Sequence, residues 1–364
     1  MKREHILVIR FSSIGDVAMM VPVVYTLALR YPHVRITVLS RPFARPFFED
    51  LAPNVNFMSA DVKKDYRGVK GLNRLYRRLV AKQPTAIADL HAVLRSDYLR
   101  MRFNLGHFKV QHLNKHRHDR RHLVAKGKKR VVKQLNSPFK NYADVFERLG
   151  YPVGELLFKS VFQHAQDGQE AIDPAVKPTG NLNMLPREVG PKRSWEQWIG
   201  IAPFAAHEGK IYPPERTFQV IEQLARHYPK ARFFLFGRGE NEENTFKEWA
   251  AKIPQCLSVT QYMENMHQEL ILMSHLDVML SMDSANMHMA SLTATPVVSV
   301  WGATHPMAGF MGYGQSLENV VQIDLPCRPC SIYGEKPCYR NDYQCLNGIE
   351  PERIVEKIIK VIGQ

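Results

Sequence analysis

Residues 5–39 leave room for few folds. His5-Ile6-Leu7-Val8-Ile9-Arg10-Phe11 reads as a strand, and Ser12-Ser13-Ile14-Gly15-Asp16 as a small polar turn. Val17–Leu29 has a helical pattern with Pro22 as an irregularity inside it. Tyr31-Pro32-His33 ends that helix, and Arg35–Leu39 is a second strand. This is a βαβ unit, so the crossover is right-handed and the strands are parallel. Gly15 permits close backbone approach, and Asp16 falls at the strand's C-terminal edge, where open α/β sheets bind ligands. The turn lacks the full glycine fingerprint of a dinucleotide fold and has no P-loop lysine, so NAD or ATP binding of the usual kind is not expected.

A second unit of this kind lies near the other end. Leu276–Met282 is an apolar run that reads as a buried strand. Asp283-Ser284-Ala285-Asn286-Met287-His288 follows, then a helix from Met289 to Leu292 and another strand, Pro296–Gly302. A helix N-terminus presents free N–H groups and a partial positive charge, which favour a phosphate. Asp283 and His288 stand where they could contact a sugar, a ribose or a diphosphate. The same residues also suit a plain helix cap followed by a core histidine.

Between these units strands and helices keep alternating. Phe43–Leu51 is helical, Val55–Met58 a strand, Gly71–Lys82 a helix, Thr85–Leu90 a strand, Val93–Leu105 a helix, Lys109–Gln111 a strand and Tyr142–Leu149 a helix. Residues 164–195 lose all periodicity and are rich in Pro, Gly and charge, as a linker would be. The pattern restarts at Trp198–Pro203. It continues through an amphipathic helix, Glu215–His227, a strand, Arg232–Gly237, and helices at Thr245–Lys252 and His267–Met273. Glu350–Ile362 closes the chain as an amphipathic helix. The division is an N-terminal Rossmann-like domain at 1–175, a linker at 176–197, a second Rossmann-like domain at 198–348 and a closing helix at 349–364. The fold class is α/β, with two doubly wound domains facing an interdomain cleft.

A length of 364 residues suits two such domains, and 45% hydrophobic residues suffice for their cores. No apolar run is long enough to cross a bilayer. A strand begins within a few residues of the start, so no secretory signal peptide is expected and the protein should be cytoplasmic. The formal charge is +14, from 49 Lys+Arg against 35 Asp+Glu. Much of the excess lies between Lys109 and Lys133, which holds Lys115, Arg117, Arg120, Arg121, Lys126, Lys128, Lys129 and Arg130 among His112, His116, His118 and His122. Such a stretch implies a polyanion: nucleic acid, an anionic membrane face or a phosphorylated glycolipid. It is nearly free of aromatic residues, which argues against a stacking platform for single strands. A solvated surface is the plainer alternative.

Of five cysteines, four cluster as Cys327-x2-Cys330-x7-Cys338-x6-Cys345. In a cytosolic protein this favours thiols or a metal over disulfides. The spacing is not that of a standard zinc ribbon, and Pro326, Pro329 and Pro337 stiffen the loop. A closed zinc site and a reduced, loop-packing cluster both stay open.

The turn Ser12–Asp16, Lys210 after the strand Ile199–Pro203, Phe236-Gly237 closing a strand, and Asp283–His288 together resemble glycosyltransferase family 9, the lipopolysaccharide heptosyltransferases. The resemblance runs over essentially the whole chain. It implies a GT-B fold, an inverting transfer from a nucleotide-diphosphate sugar (ADP-heptose by family default), a phosphorylated glycolipid acceptor and no catalytic metal or other cofactor. It implies Asp16 as general base and Lys210 as the cation that neutralises the leaving diphosphate. Gly15, Gly237, Asp283, Ser284, Ala285 and His288 then belong to the donor site. Arg120, Arg121, Lys128 and Lys129 are expected to dock the acceptor at the anionic inner-membrane surface, with the enzyme a peripheral monomer and no nucleic acid bound. Two features depart from the family. Ala205 and Ala206 stand where hydroxyl residues are common, and Met287 occupies an often polar position. A different sugar therefore stays open. So do a sugar-nucleotide epimerase, which would leave the basic stretch unexplained, and a nucleic-acid-binding protein using that stretch.

Overall fold

The computed structural model describes residues 4–163 and 177–363. The chain forms two compact units, Met1–His116 with Asn136–His164, and Arg117–Leu135 with Ala165–Gln364.

The first unit holds strands β1 (His5–Ile9), β2 (Arg35–Ser40), β3 (Val55–Ser59), β4 (Ala86–Asp89) and β5 (Lys109–His112), in the order β3-β2-β1-β4-β5. Every pairing is parallel. β1 is buried throughout, and Leu7 and Ile9 join Leu39, Leu72, Leu75 and Phe103 in an apolar core. The crossover after β1 is not one helix but two: α1 (Ile14–Ala18) and α2 (Val21–Arg30). Pro22 lies in the first turn of α2, where no intrahelical N–H is required, so the expected irregularity becomes a helix start. Further helices are α3 (Arg45–Phe48), α4 (Gly68–Val80) and α5 (Leu94–Leu105). After the excursion of residues 117–135 the chain returns to this unit as helix Pro138–Arg148. Ser137 caps that helix by accepting from the Lys140 N–H at 3.3 Å.

The second unit carries strands β6 (Trp198–Ala202), β7 (Arg232–Leu235), β8 (Cys256–Ser258), β9 (Val278–Met282), β10 (Val297–Val300) and β11 (Val320–Val321), ordered β11-β10-β9-β6-β7-β8 and all parallel. The short strands β8 and β11 carry no signal in the residue pattern. α6 (Arg117–Leu123) belongs here, and α7 denotes the returning helix Pro138–Arg148. α8 (Pro214–His227), α9 (Glu240–Lys252), α10 (Val259–Tyr262), α11 (Met266–Ser274), α12 (Ala285–Leu292), α13 (Gln344–Asn347) and α14 (Pro351–Ile362) complete the set. α14 buries Ile354, Val355, Ile358 and Val361 on one stripe into the same core as Val220, Ile221 and Leu224 of α8. Each such side chain contributes roughly 1.5–3 kcal/mol by leaving water.

Two expectations change. The basic stretch does not stay with the first unit. Residues 117–135 pack on the second, with the Leu123 side chain fully buried and the Leu135 N–H donating to the Met307 carbonyl at 2.8 Å. Part of the expected linker, 164–176, lies outside the described residues. The part that follows is anchored to the second unit, where Lys177 Nζ reaches Thr295 Oγ1 at 2.9 Å and the Gly180 N–H reaches Ser274 Oγ at 3.0 Å.

Candidate active site

In each sheet the chain first builds one way from its founding strand and then the other. The reversal lies between β1 and β4 in the first unit and between β6 and β9 in the second. Such switch points leave a crevice at the strands' carboxyl ends. Gly15 and Asp16 follow β1 at the first of these places, and Lys210, Asp283, Ser284, Ala285 and His288 follow β6 and β9 at the second.

In the first unit, β1 ends at Arg10 and the turn delivers Asp16 into α1. Arg10 Nη2 meets Asp16 Oδ2 at 2.7 Å. Ser13 donates twice to the same oxygen, through Oγ at 2.9 Å and its N–H at 3.2 Å. Burial pushes the Asp16 carboxyl up, but the Arg10 charge and the Ser13 donors together outweigh it and hold the group below the usual carboxylate range. Arg10 is itself fixed by the Leu90 carbonyl and lies over the Tyr142 ring at 5.6 Å. Gly15 is buried within α1. His91, following β4, takes the Phe11 N–H on Nδ1 at 3.4 Å, so Nε2 carries the proton and faces Ser12 Oγ at 3.3 Å. Burial, then the Arg10 and Lys115 charges, push the imidazole down to about 3, and it is neutral at physiological pH. Asp89 is fully buried beneath it, accepting from the His91 and Ala92 N–H groups and from Arg100.

In the second unit, the loop after β6 carries Lys210 and the loop after β9 carries Asp283. Lys210 Nζ pairs with Asp283 Oδ2 at 3.0 Å. Ser284 begins α12 in extended conformation, and its hydroxyl lies 3.3 Å from Ser281 Oγ rather than capping its own helix. Ala285 is the first helical residue, and His288 is buried one turn on. Gly237 follows β7 and owes its identity to packing, since a Cβ there would meet Glu242 Oε2 at 2.4 Å and the Phe246 ring at 2.9 Å. Beside it Arg238 pairs with the buried Glu269 of α11, whose carboxyl burial pushes up against the pull of Arg238.

The four basic residues expected to act together divide. Arg120 donates to the Tyr333 hydroxyl and lies over the Phe310 and Tyr333 rings at 5.3 and 5.8 Å. Arg121, Lys128 and Lys129 are exposed. Sequence reasoning missed Arg10, His91, Arg238 and Glu269. A charge closing the apolar run His5–Ile9 was the available signal for Arg10. The other three carried none.

A family model described as glycosyltransferase family 9 (heptosyltransferase) matches residues 72–338. The chain is 22% identical over 336 residues to the lipopolysaccharide core heptosyltransferase OpsX of Haemophilus influenzae, covering 88% of this chain and 84% of that protein. It is 27% identical over 85 residues to lipooligosaccharide heptosyltransferase 2 of Campylobacter jejuni, a match spanning 23% of this chain and only 26% of that protein. Among solved structures, the E. coli ADP-heptose lps heptosyltransferase II superposes with a TM-score of 0.65 at 18% identity, over 99% of both chains. That likeness and the two parallel sheets give the fold as GT-B, with two Rossmann-like units.

Proposed function

The chain belongs to glycosyltransferase family 9 and is a glycosyltransferase, and from that premise we propose that it moves heptose from ADP-heptose onto a phosphorylated glycolipid of the lipopolysaccharide core, with inversion. The names of the Haemophilus and E. coli relatives support this donor and acceptor. The observation that carries the reading is one acid–cation pair at the switch point of each sheet, Arg10–Asp16 and Lys210–Asp283.

In this reading the acceptor hydroxyl attacks the anomeric carbon from the face opposite the diphosphate. Asp16 takes the hydroxyl proton as the new C–O bond forms. Its depressed pKa keeps it ionised at neutral pH, and Arg10 and Ser13 hold the receiving oxygen in place. The sugar–diphosphate bond breaks as the other forms, and charge accumulates on the leaving phosphate. Lys210 and the free N–H groups at the start of α12 meet that charge, with Asp283 orienting the lysine and the sugar hydroxyls. In this reading these groups supply the charge compensation. The exposed Arg121, Lys128 and Lys129 suit the phosphates of the acceptor and of the cytosolic leaflet, each worth about 1 kcal/mol near the surface. No helix among the described residues is long and apolar enough to cross a membrane. We place the enzyme as a monomer, peripheral to the inner membrane.

A thermal-shift panel of nucleotide sugars tests the donor. ADP-heptose should raise Tm more than UDP- or GDP-sugars, because a ligand that binds only the folded state stabilises it by mass action. A larger shift with a UDP-sugar, or none with any donor, overturns the assignment.

A further inference from the structure

Between β11 and α13, residues 322–343 form no helix or strand. Irregular stretches of that length are uncommon in compact domains without something to fasten them. This one is nonetheless packed: Arg328, Ser331 and Ile332 are buried. All four clustered cysteines, Cys327, Cys330, Cys338 and Cys345, line one cavity of about 10 Å³, the space of a single small sphere. None is in a disulfide. Their present partners are weak: the Cys330 thiol faces the Ala303 carbonyl and the Cys338 thiol faces Asp342 Oδ1, both at 3.8 Å.

Arg328 supplies an independent sign. It lines the same cavity and is buried, and its guanidinium donates to the carbonyls of Gly302, Trp301, Thr304 and Ile323 and to Gln322. Among the described residues no carboxylate lies within ion-pair distance of it. Asp324 acts on it only from beyond ion-pair distance, and a buried cation without a directly paired acid is costly. Four thiolates around a divalent ion would carry a net charge of −2 beside it.

We infer that Cys327, Cys330, Cys338 and Cys345 form a structural tetrathiolate site for one thiophilic, tetrahedrally bound ion, zinc or iron, with Arg328 as its charge partner. All-sulfur ligand sets select these metals over magnesium, calcium or manganese. Binding replaces four S–H bonds by four S–metal bonds and releases four protons to solvent. Among the described residues no three ligand groups yet stand at metal-ligand spacing. The Cys330 and Cys338 thiols must therefore swing from their oxygen partners into the cavity. The site fastens the loop that braces Lys210. A Cβ at Gly334 would come within 2.6 Å of the Lys210 Cγ, and the Tyr343 hydroxyl donates to Glu208 at 2.9 Å. The Cys330 N–H donates to the Ala303 carbonyl at 3.0 Å, and the Ala303 N–H to Gly209 at 2.8 Å.

The test needs no assumption about the reaction. The full chain, purified under reducing conditions, is analysed for zinc and iron by mass spectrometry, and cobalt(II) is exchanged into it. About one ion per chain and thiolate-to-cobalt charge-transfer bands with tetrahedral ligand-field bands are expected. The double variant Cys327→Ser/Cys338→Ser should lose at least about tenfold in bound metal and lose the bands. Failure of that variant to fold would leave the parent's metal count and cobalt spectrum to decide. A parent with no stoichiometric zinc or iron and no thiolate–cobalt band overturns the proposal, as does a disulfide among these four residues.

Discussion

The two acid–cation pairs are alike in placement and opposite in exposure. In Arg10–Asp16 the arginine side chain is 7% exposed and the carboxylate 30%. In Lys210–Asp283 the carboxylate is 5% exposed and the lysine 15%. In the proposed reading the more open member of each pair does the chemistry, and the more buried member holds it in place. On that reading the same pairing serves as a base in one unit and a cation in the other, according to which partner the fold covers.

Removing the more open acid should cost most. Asp16→Asn is expected to lower turnover by about 100- to 10,000-fold, the usual worth of a general base, while the variant folds and binds donor as the parent does. Equal rates for variant and parent from pH 6 to 9 would remove Asp16 from the chemistry. Lys210→Ala should cost about 100-fold in kcat/KM for the nucleotide sugar, as loss of one fixed donor to a developing charge does elsewhere. An effect confined to the acceptor's KM would move Lys210 to the acceptor site.

Removing a buried partner should change a pKa more than a maximal rate. In Arg10→Gln the burial that raises Asp16 loses its main opposing charge, so the acid limb of kcat/KM should move upward by about 1–3 pH units. The folded-state pKa of Asp16 is depressed in the parent. Its pair with Arg10 therefore stabilises the fold above the unfolded carboxylate value of 3.8 and is lost as pH falls below it. Arg10→Gln should flatten the acid side of a stability-versus-pH curve, and an unchanged curve would show the pair to be inert. The last prediction concerns the basic segment and reads membrane binding rather than catalysis. Arg121→Gln/Lys128→Gln/Lys129→Gln should weaken binding to anionic vesicles by about 100-fold at low salt, from about 1 kcal/mol each, and leave ADP binding unchanged. Normal vesicle binding at moderate salt would make these residues a solvated surface.

Much of the fold was legible because parallel strands are buried on both faces and read as apolar runs such as His5–Ile9 and Val278–Met282. Boundaries blurred where packing rather than periodicity decides. The two-residue β11 and the break between α1 and α2 are of this kind. For the site, Asp16, Lys210 and Asp283 were individually visible, but the Lys210–Asp283 contact joins loops far apart in the chain and left no local mark. The basic stretch shows the same limit. Its charges are contiguous in sequence, yet the fold separates them. Arg120, Lys126 and Arg130 are engaged by Tyr333, Tyr339 and the Pro326 carbonyl, while Arg121, Lys128 and Lys129 face water. The partners that decide this lie in the distant cysteine loop.

The division of labour between the pairs is tested most directly by calorimetric titration of ADP into the parent, Asp16→Asn and Lys210→Ala. The account predicts that Lys210→Ala weakens ADP at least about tenfold, a change of roughly 1.4 kcal/mol, while Asp16→Asn stays within about twofold of the parent. Loss of ADP affinity in Asp16→Asn with Lys210→Ala unaffected, or equal loss in both, would contradict it.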